Sequence, residues 1–130
     1  MGYCNYLEDK MLDHAFGGAP FSTPPETLLV GLCTGVDEDG VITGEPVGYS
    51  YARVEVDNDA VTWGAANEGT KANLIPIVFP EASGPWGTLT KAFLTDGSNT
   101  FAFGDLDPQK IPTSGDTITI ETGKFKITLD

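Results

Sequence analysis

Positive charge is scarce in this chain. Seven Lys and Arg stand against 19 Asp and Glu in 130 residues, a formal net charge of −12. Such a field repels phosphate backbones and anionic lipid surfaces, which argues against nucleic-acid and membrane partners. The acid is densest early: residues 1–60 hold eleven Asp and Glu but only Lys10 and Arg53. That half could face a basic partner or bind cations; a solvated acidic surface that keeps the protein soluble is the reading adopted. Histidine occurs once, at position 14. Any Ser-His-Asp or Cys-His constellation would have to use His14, and the chain has no G-x-S-x-G elbow. Asp13 is adjacent, but neighbouring helical residues do not face each other, so His14 reads as a partner of the helix dipole. Cysteine occurs twice, too seldom for a disulfide framework. Cys4 and Cys33 read as two small buried hydrophobes, with a bridge between them as the alternative. One His and two distant Cys give no zinc spacing. No apolar run approaches the roughly 18 residues of a membrane span. Residues 1–15 lack the basic start and apolar block of a signal peptide, so synthesis without export is expected. Phosphate-binding glycine motifs are also missing.

Turns and short alternating runs are what the chain has in quantity. It carries sixteen Gly and nine Pro. Ile118 and Ile120 alternate with Thr117, Thr119 and Glu121; Thr122-Gly123 follows; then Phe125, Ile127 and Leu129 alternate with Lys124, Lys126 and Thr128. Period-2 alternation on both sides of a glycine turn predicts a closing β-hairpin with one buried face, running almost to residue 130. Asn5 and Glu8 make a capping-box pattern for a helix of about ten residues, ended by Gly17-Gly18. Leu7, Met11 and Ala15, with Leu12 beside them, form its apolar stripe. Thr23-Pro24-Pro25 leads into the apolar run 28–33, a central strand. Further strands are expected at 51–56, 61–63, 74–79, 89–94 and 100–106, with Pro76 pushing its strand toward an edge or bulge. Residues 37–40 and 57–59 are turns, 41–48 a Gly/Pro-broken connection, and 64–73 a polar loop. The expected fold is mainly β: an antiparallel β-sandwich or jelly-roll-like barrel of about eight strands with one short N-terminal helix. A single domain over 1–130 is expected, with residues 1–18 docking on the sandwich or on a neighbour.

Most carboxylates fall in Gly/Asn/Asp turns, where they satisfy local backbone groups. Asp37-Glu38-Asp39-Gly40 and Asp57-Asn58-Asp59 could offer oxygens to calcium, but neither has the EF-hand spacing. A hydrolase would need two acids facing each other across a cleft about 5–10 Å wide. Trp63 and Trp86 could stack on sugars, as could Tyr49 and Tyr51, although core filling is the plainer role. Arg53, one of few cations, is expected to pair with an acid through its planar fork. No catalytic, cofactor-binding or metal-binding residue is assigned.

Four landmarks stand in order: Asn5-Tyr6-Leu7-Glu8 with Leu12-Asp13-His14; Gly48 to Arg53, ending Tyr51-Ala52-Arg53; Val78-Phe79-Pro80-Glu81-Ala82 followed by Trp86-Gly87; and Ser114-Gly115-Asp116 leading to Thr128-Leu129-Asp130. This series resembles a family of small tailed-phage and prophage proteins, tail-fibre-like or virion structural, over nearly the whole chain. The family's "yvALyT" strand is replaced by Leu29 to Thr34, and its Asx-rich stretch before Y-A-R by Gly40 to Gly48. The resemblance implies a non-enzymatic virion part, assembled in the host cytoplasm, that decorates the capsid or contributes to the tail or fibre apparatus. It implies other virion proteins as partners and a homo-oligomer, with a trimer preferred. Docking would use an apolar patch including the N-terminal helix and Pro24-Pro25. A carbohydrate-binding adhesive module on the virion surface is the alternative.

Overall fold

The computed structural model describes residues 2–19 and 24–128. The expectations for Thr23, Leu129 and Asp130 lie outside the described residues. The chain runs β1 (Gly2–Tyr3), α1 (Asn5–Phe16), β2 (Thr27–Cys33), β3 (Gly35–Val36), β4 (Ile42–Thr43), β5 (Val54–Asp57), β6 (Thr70–Ala72), β7 (Ile77–Val78), β8 (Leu89–Thr95), β9 (Thr100–Lys110), β10 (Thr119–Ile120) and β11 (Lys126–Thr128). Five of these form one antiparallel sheet in the order β1-β9-β8-β2-β5. The β7–β10 and β6–β11 pairs, with the loops between them, make the opposing layer, and β3–β4 is a separate small ladder. The described strands close no barrel, so the architecture is the sandwich.

Pleating explains where the core sits. Leu28, Val30 and Leu32 of β2, Val56 of β5, Ala92 and Leu94 of β8, and Phe101 of β9 turn to one face of the large sheet. They meet Trp63, Ile77, Phe79, Trp86, Ile118, Ile120 and Phe125 from the opposing layer. The run 28–33 reads as continuously apolar because its other face is also covered: Gly31 lies under the Phe93 ring and Cys33 is fully buried.

Several local expectations are corrected. The C-terminal alternation is real, with Ile118, Ile120 and Phe125 buried, and Gly123 turns at φ +79° with Lys124 N–H donating to Glu121 C=O. Its two arms, however, do not pair with each other. Thr119–Ile120 pairs with β7 and Lys126–Thr128 with β6. Asn73 sits where the hairpin partner would be: its side-chain amide donates to Glu121 C=O, and its Oδ1 accepts from Phe125 N–H. The expected strand at 61–63 is a turn, because Asp59 Oδ1 accepts from Val61 and Thr62 N–H at 3.0 Å. Of 74–79 only Ile77–Val78 is strand; Leu74 and Ile75 lie exposed ahead of Pro76. Conversely, the 64–73 loop contains β6, and the 41–48 connection contains β4.

The helix is twelve residues long, and Asn5 does not cap it. Pairing of Gly2–Tyr3 to β9 and the bond from Cys4 N–H to Phe101 C=O fix the entry one residue earlier, leaving Cys4 at the N-cap. Asn5 Nδ2 donates instead to Asp39 Oδ1 at 2.9 Å. Tyr6 stacks on Phe101 with ring centroids 5.6 Å apart, and Leu7 packs against the core edge. Leu12 and Phe16 are exposed.

The Asn67–Thr70 turn closes with reciprocal backbone bonds, and both central residues have positive φ, Glu68 at +51° and Gly69 at +78°. This is the type I′ geometry that favours Asn-Gly. Replacing exposed Glu68 by Asn is expected to raise stability by roughly 0.5–1 kcal/mol in urea melts, by relieving a left-handed residue. A fall in the midpoint would contradict that turn assignment.

Candidate functional site

Tyr51-Ala52-Arg53 builds a connected polar group on one face of the large sheet. Arg53 lies just ahead of β5 and sends Nε and Nη2 to the two oxygens of Glu45, each at 2.9 Å. Tyr51 donates its hydroxyl to Glu45 Oε2 at 2.7 Å and accepts the Leu32 N–H at 3.0 Å. The guanidinium also covers the Phe93 ring, 5.0 Å from its centroid. Beneath that ring lies Gly31, where a Cβ would come within 2.2 Å of Phe93 Cζ. The order is Gly31, Phe93, Arg53, Glu45, a column standing on the outer face of the large sheet. Arg53 thus pairs structurally with an acid, as its fork and the scarcity of cations suggest.

Burial alone would push the Glu45 carboxyl up, but hydrogen bonds from Arg53 and Tyr51 outweigh it and hold the group below its ordinary value. A carboxyl depressed on folding contributes stability that is complete above its unfolded pKa, about 4.3, and is lost as pH falls through the folded value. Urea midpoints of the native protein are therefore expected to drop below about pH 4.3, and Glu45→Gln should flatten part of that decline. Asp96, also depressed while accepting Ser98 and Asn99 N–H bonds in its turn, supplies some of the remainder. Identical pH profiles for the two proteins would remove Glu45 from the account.

The other landmarks interlock beside this column. Trp86 Nε1 donates to Tyr49 C=O at 2.9 Å, and its ring meets Tyr51 edge-on at 5.3 Å. Ser83 N–H donates to the same Tyr49 carbonyl. Ala82 N–H donates to Asp116 C=O and Ala82 C=O accepts from Gly115 N–H, which joins the third landmark to the fourth. Asp116 Oδ2 in turn accepts from Thr113 N–H. At the first landmark, Asn5 N–H donates to Glu38 C=O. Asn5, Tyr49 with Trp86, and Ala82 with Gly115 and Asp116 thus each join separate segments of the chain, which gives these parts of the resemblance a physical basis in this molecule.

The chemistry-bearing side chains are dispersed. His14 lies exposed in the last turn of α1. Cys4 and Cys33 are buried and unbridged, and burial first of all pushes both thiols up to about 11, which leaves them protonated and unreactive at neutral pH. In the two calcium candidates, Asp37 accepts from Val41 N–H, Asp39 from Asn5, and Asp59 from its own turn. Among the described residues, no group of three His, Cys, Asp or Glu is gathered as a metal centre. Trp63 and Trp86 are both buried in the core, so neither indole offers a sugar its face. A groove of about 250 Å³ does open between Leu7, Pro24, Pro25, Leu28, Phe101 and Ile127, joining the helix and the Pro24-Pro25 segment on one apolar site. Among the described residues, no helix is long and apolar enough to cross a membrane.

Sequence reasoning missed Glu45, Phe93 and Asn73. Glu45 sits in a connection with no periodicity, so nothing in spacing marks it as the partner of Arg53. Phe93 reads as an ordinary apolar strand residue; the one available signal is Gly31, a glycine inside a strand, which marks a close approach.

A family model described as Podophage GP4 fiber I protein gp80 matches residues 2–128. No curated protein matches the chain.

Proposed function

Because the chain belongs to the podophage GP4 fiber I protein gp80 family, we propose that it serves in the fibre apparatus of a phage particle and works without catalysis. The family makes it a phage virion structural protein. The match over residues 2–128 is the observation that carries the reading. Two features support it. The side chains of Glu45, Arg53, Tyr51 and Asn73 tie the scaffold together. The apolar groove at Leu7, Pro24 and Pro25 offers a docking site for other virion proteins. Copies would assemble as a homo-oligomer, a trimer by preference, whose repeated weak contacts add through avidity.

The test is a particle reconstruction together with light scattering of the purified protein. Density at the fibres and a mass of three chains of 13.8 kDa are expected. Density on the capsid surface would replace the fibre placement by decoration. A monodisperse monomer that binds neither capsids nor tails would overturn the assembly role.

A further inference from the structure

Tyr49 occupies an unusual position. Gly48, Tyr49 and Ser50 all have positive φ, +83°, +50° and +67°. Two consecutive non-glycine residues in the left-handed region cost of order 1–3 kcal/mol each, and such strain persists only where surrounding structure over-determines it. Here the restraints are the bonds that Trp86 Nε1 and Ser83 N–H donate to Tyr49 C=O and the bond from Tyr51 N–H to Gly48 C=O. The result is an aromatic ring held out of the core, 54% exposed.

The ring is held flat. A Cβ at Gly84 would fall 2.2 Å from Tyr49 Cδ1, 2.6 Å from Cε1 and 2.7 Å from Cγ. A point in the ring plane beyond Cδ1 would lie about 3 Å from those two neighbours, so the point is above the ring face. Tyr49 therefore rests one face on the Gly84 backbone and gives the other to solvent. Phe93 uses the same device on Gly31, but there Arg53 covers the ring. Beside the open ring, the exposed Ser50 and Ser83 hydroxyls bond to each other at 3.1 Å, which leaves further donor and acceptor capacity on both.

We propose that Tyr49, with Ser50 and Ser83, forms a carbohydrate subsite on this protein. A flat aromatic face stacks on the apolar C–H face of a pyranose, and flanking hydroxyls take the ring's own hydroxyls. The absence of a charged side chain from these contacts suits a neutral sugar. The rigid backbone lowers the ordering cost of binding. This site goes beyond the assembly role and acts alongside it.

The experiment uses the labelled full-length chain on an array of bacterial lipopolysaccharide O-chains and capsular polysaccharides. Wild type should be retained on at least one glycan. Tyr49→Phe should bind within about twofold of it, since the stacking face is kept. Tyr49→Ala, and Gly84→Ala with its Cβ under the ring, should each bind about tenfold more weakly or worse. Circular dichroism and urea midpoints check that the variants fold, and the bound sugar should shift the fluorescence of Trp86. Particles carrying Tyr49→Ala should incorporate the protein at wild-type copy number. No retained glycan, or undiminished binding by Tyr49→Ala, would overturn the subsite, as would a Tyr49-dependent contact with a protein alone. A failure of the assembly role would show differently, as absence from the particle whatever residue stands at 49.

Discussion

Replacing Asn73 by alanine is expected to lower the unfolding free energy by about 2–3 kcal/mol, because one buried and two part-buried backbone groups lose their partners, and a buried group left unpaired costs about 1–3 kcal/mol. Asn73 is 1% exposed. Its Nδ2 donates to Ile75 C=O at 2.8 Å and to Glu121 C=O at 3.1 Å, and its Oδ1 accepts from Phe125 N–H at 3.0 Å. Its backbone continues the arrangement, with Asn73 C=O accepting from Gly123 N–H. These bonds stand in for the hairpin ladder that the C-terminal arms do not form. Asn73→Asp should be at least as damaging, since it keeps the acceptor, removes both donors and introduces a charge into the interior. Urea denaturation followed by Trp fluorescence reads the effect. A loss below about 1 kcal/mol would mean that the 121–125 turn is held by other contacts.

The second large effect is at Phe93. Truncation to alanine is expected to cost about 3–5 kcal/mol, the range for a fully buried aromatic. The ring is 0% exposed yet stands on the outer face of the sheet, between Gly31 and the Arg53 guanidinium. Gly31→Ala alone should cost about 1–3 kcal/mol, because its Cβ cannot share space with the ring. In the Phe93→Ala background the same Gly31→Ala change should be neutral or favourable, since the new methyl enters the vacated volume. The coupling between the two sites is therefore expected to be large and opposite in sign to the single effects. Additive costs in the double variant would show that the two residues do not meet.

These contacts indicate which parts of the molecule could be read from residues. The long strands at 28–33, 89–94 and 100–106 were legible because each spans enough alternating or continuous apolar positions to declare itself. The ladders at 35–36, 42–43 and 70–72 were not. Two or three residues carry no period; 35–36 and 42–43 are paired through the turn between them, and 70–72 through the distant strand 126–128. The closing alternation disclosed which side chains go inward but not which backbone lies alongside. That choice was made by a single polar residue, Asn73, sitting in what reads as a loop. At 61–63 a strand-like trio lost to the carboxylate of Asp59, which satisfied the backbone locally.

The candidate sites divide in the same way. That Arg53 needs an acid follows from its chemistry; that the acid is Glu45 depends on the path of an aperiodic loop. The burial of Trp63 and Trp86 agrees with the ordinary habit of indoles in β proteins. The exposure of Tyr49 has no counterpart in local preference, because tyrosine rarely takes positive φ. Gly48 and Gly84 were the only traces of it in the residue string.

The placement of β1 bears on how the chain is made. Gly2 pairs with Phe103 and Tyr3 with Ala102, so the earliest of these positions leaves the ribosome about a hundred residues before its partner exists. β2 waits similarly for β8. Sheet closure is thus a late, long-range event, and an interrupted translation product would display unpaired strand edges in a cell filling with identical copies.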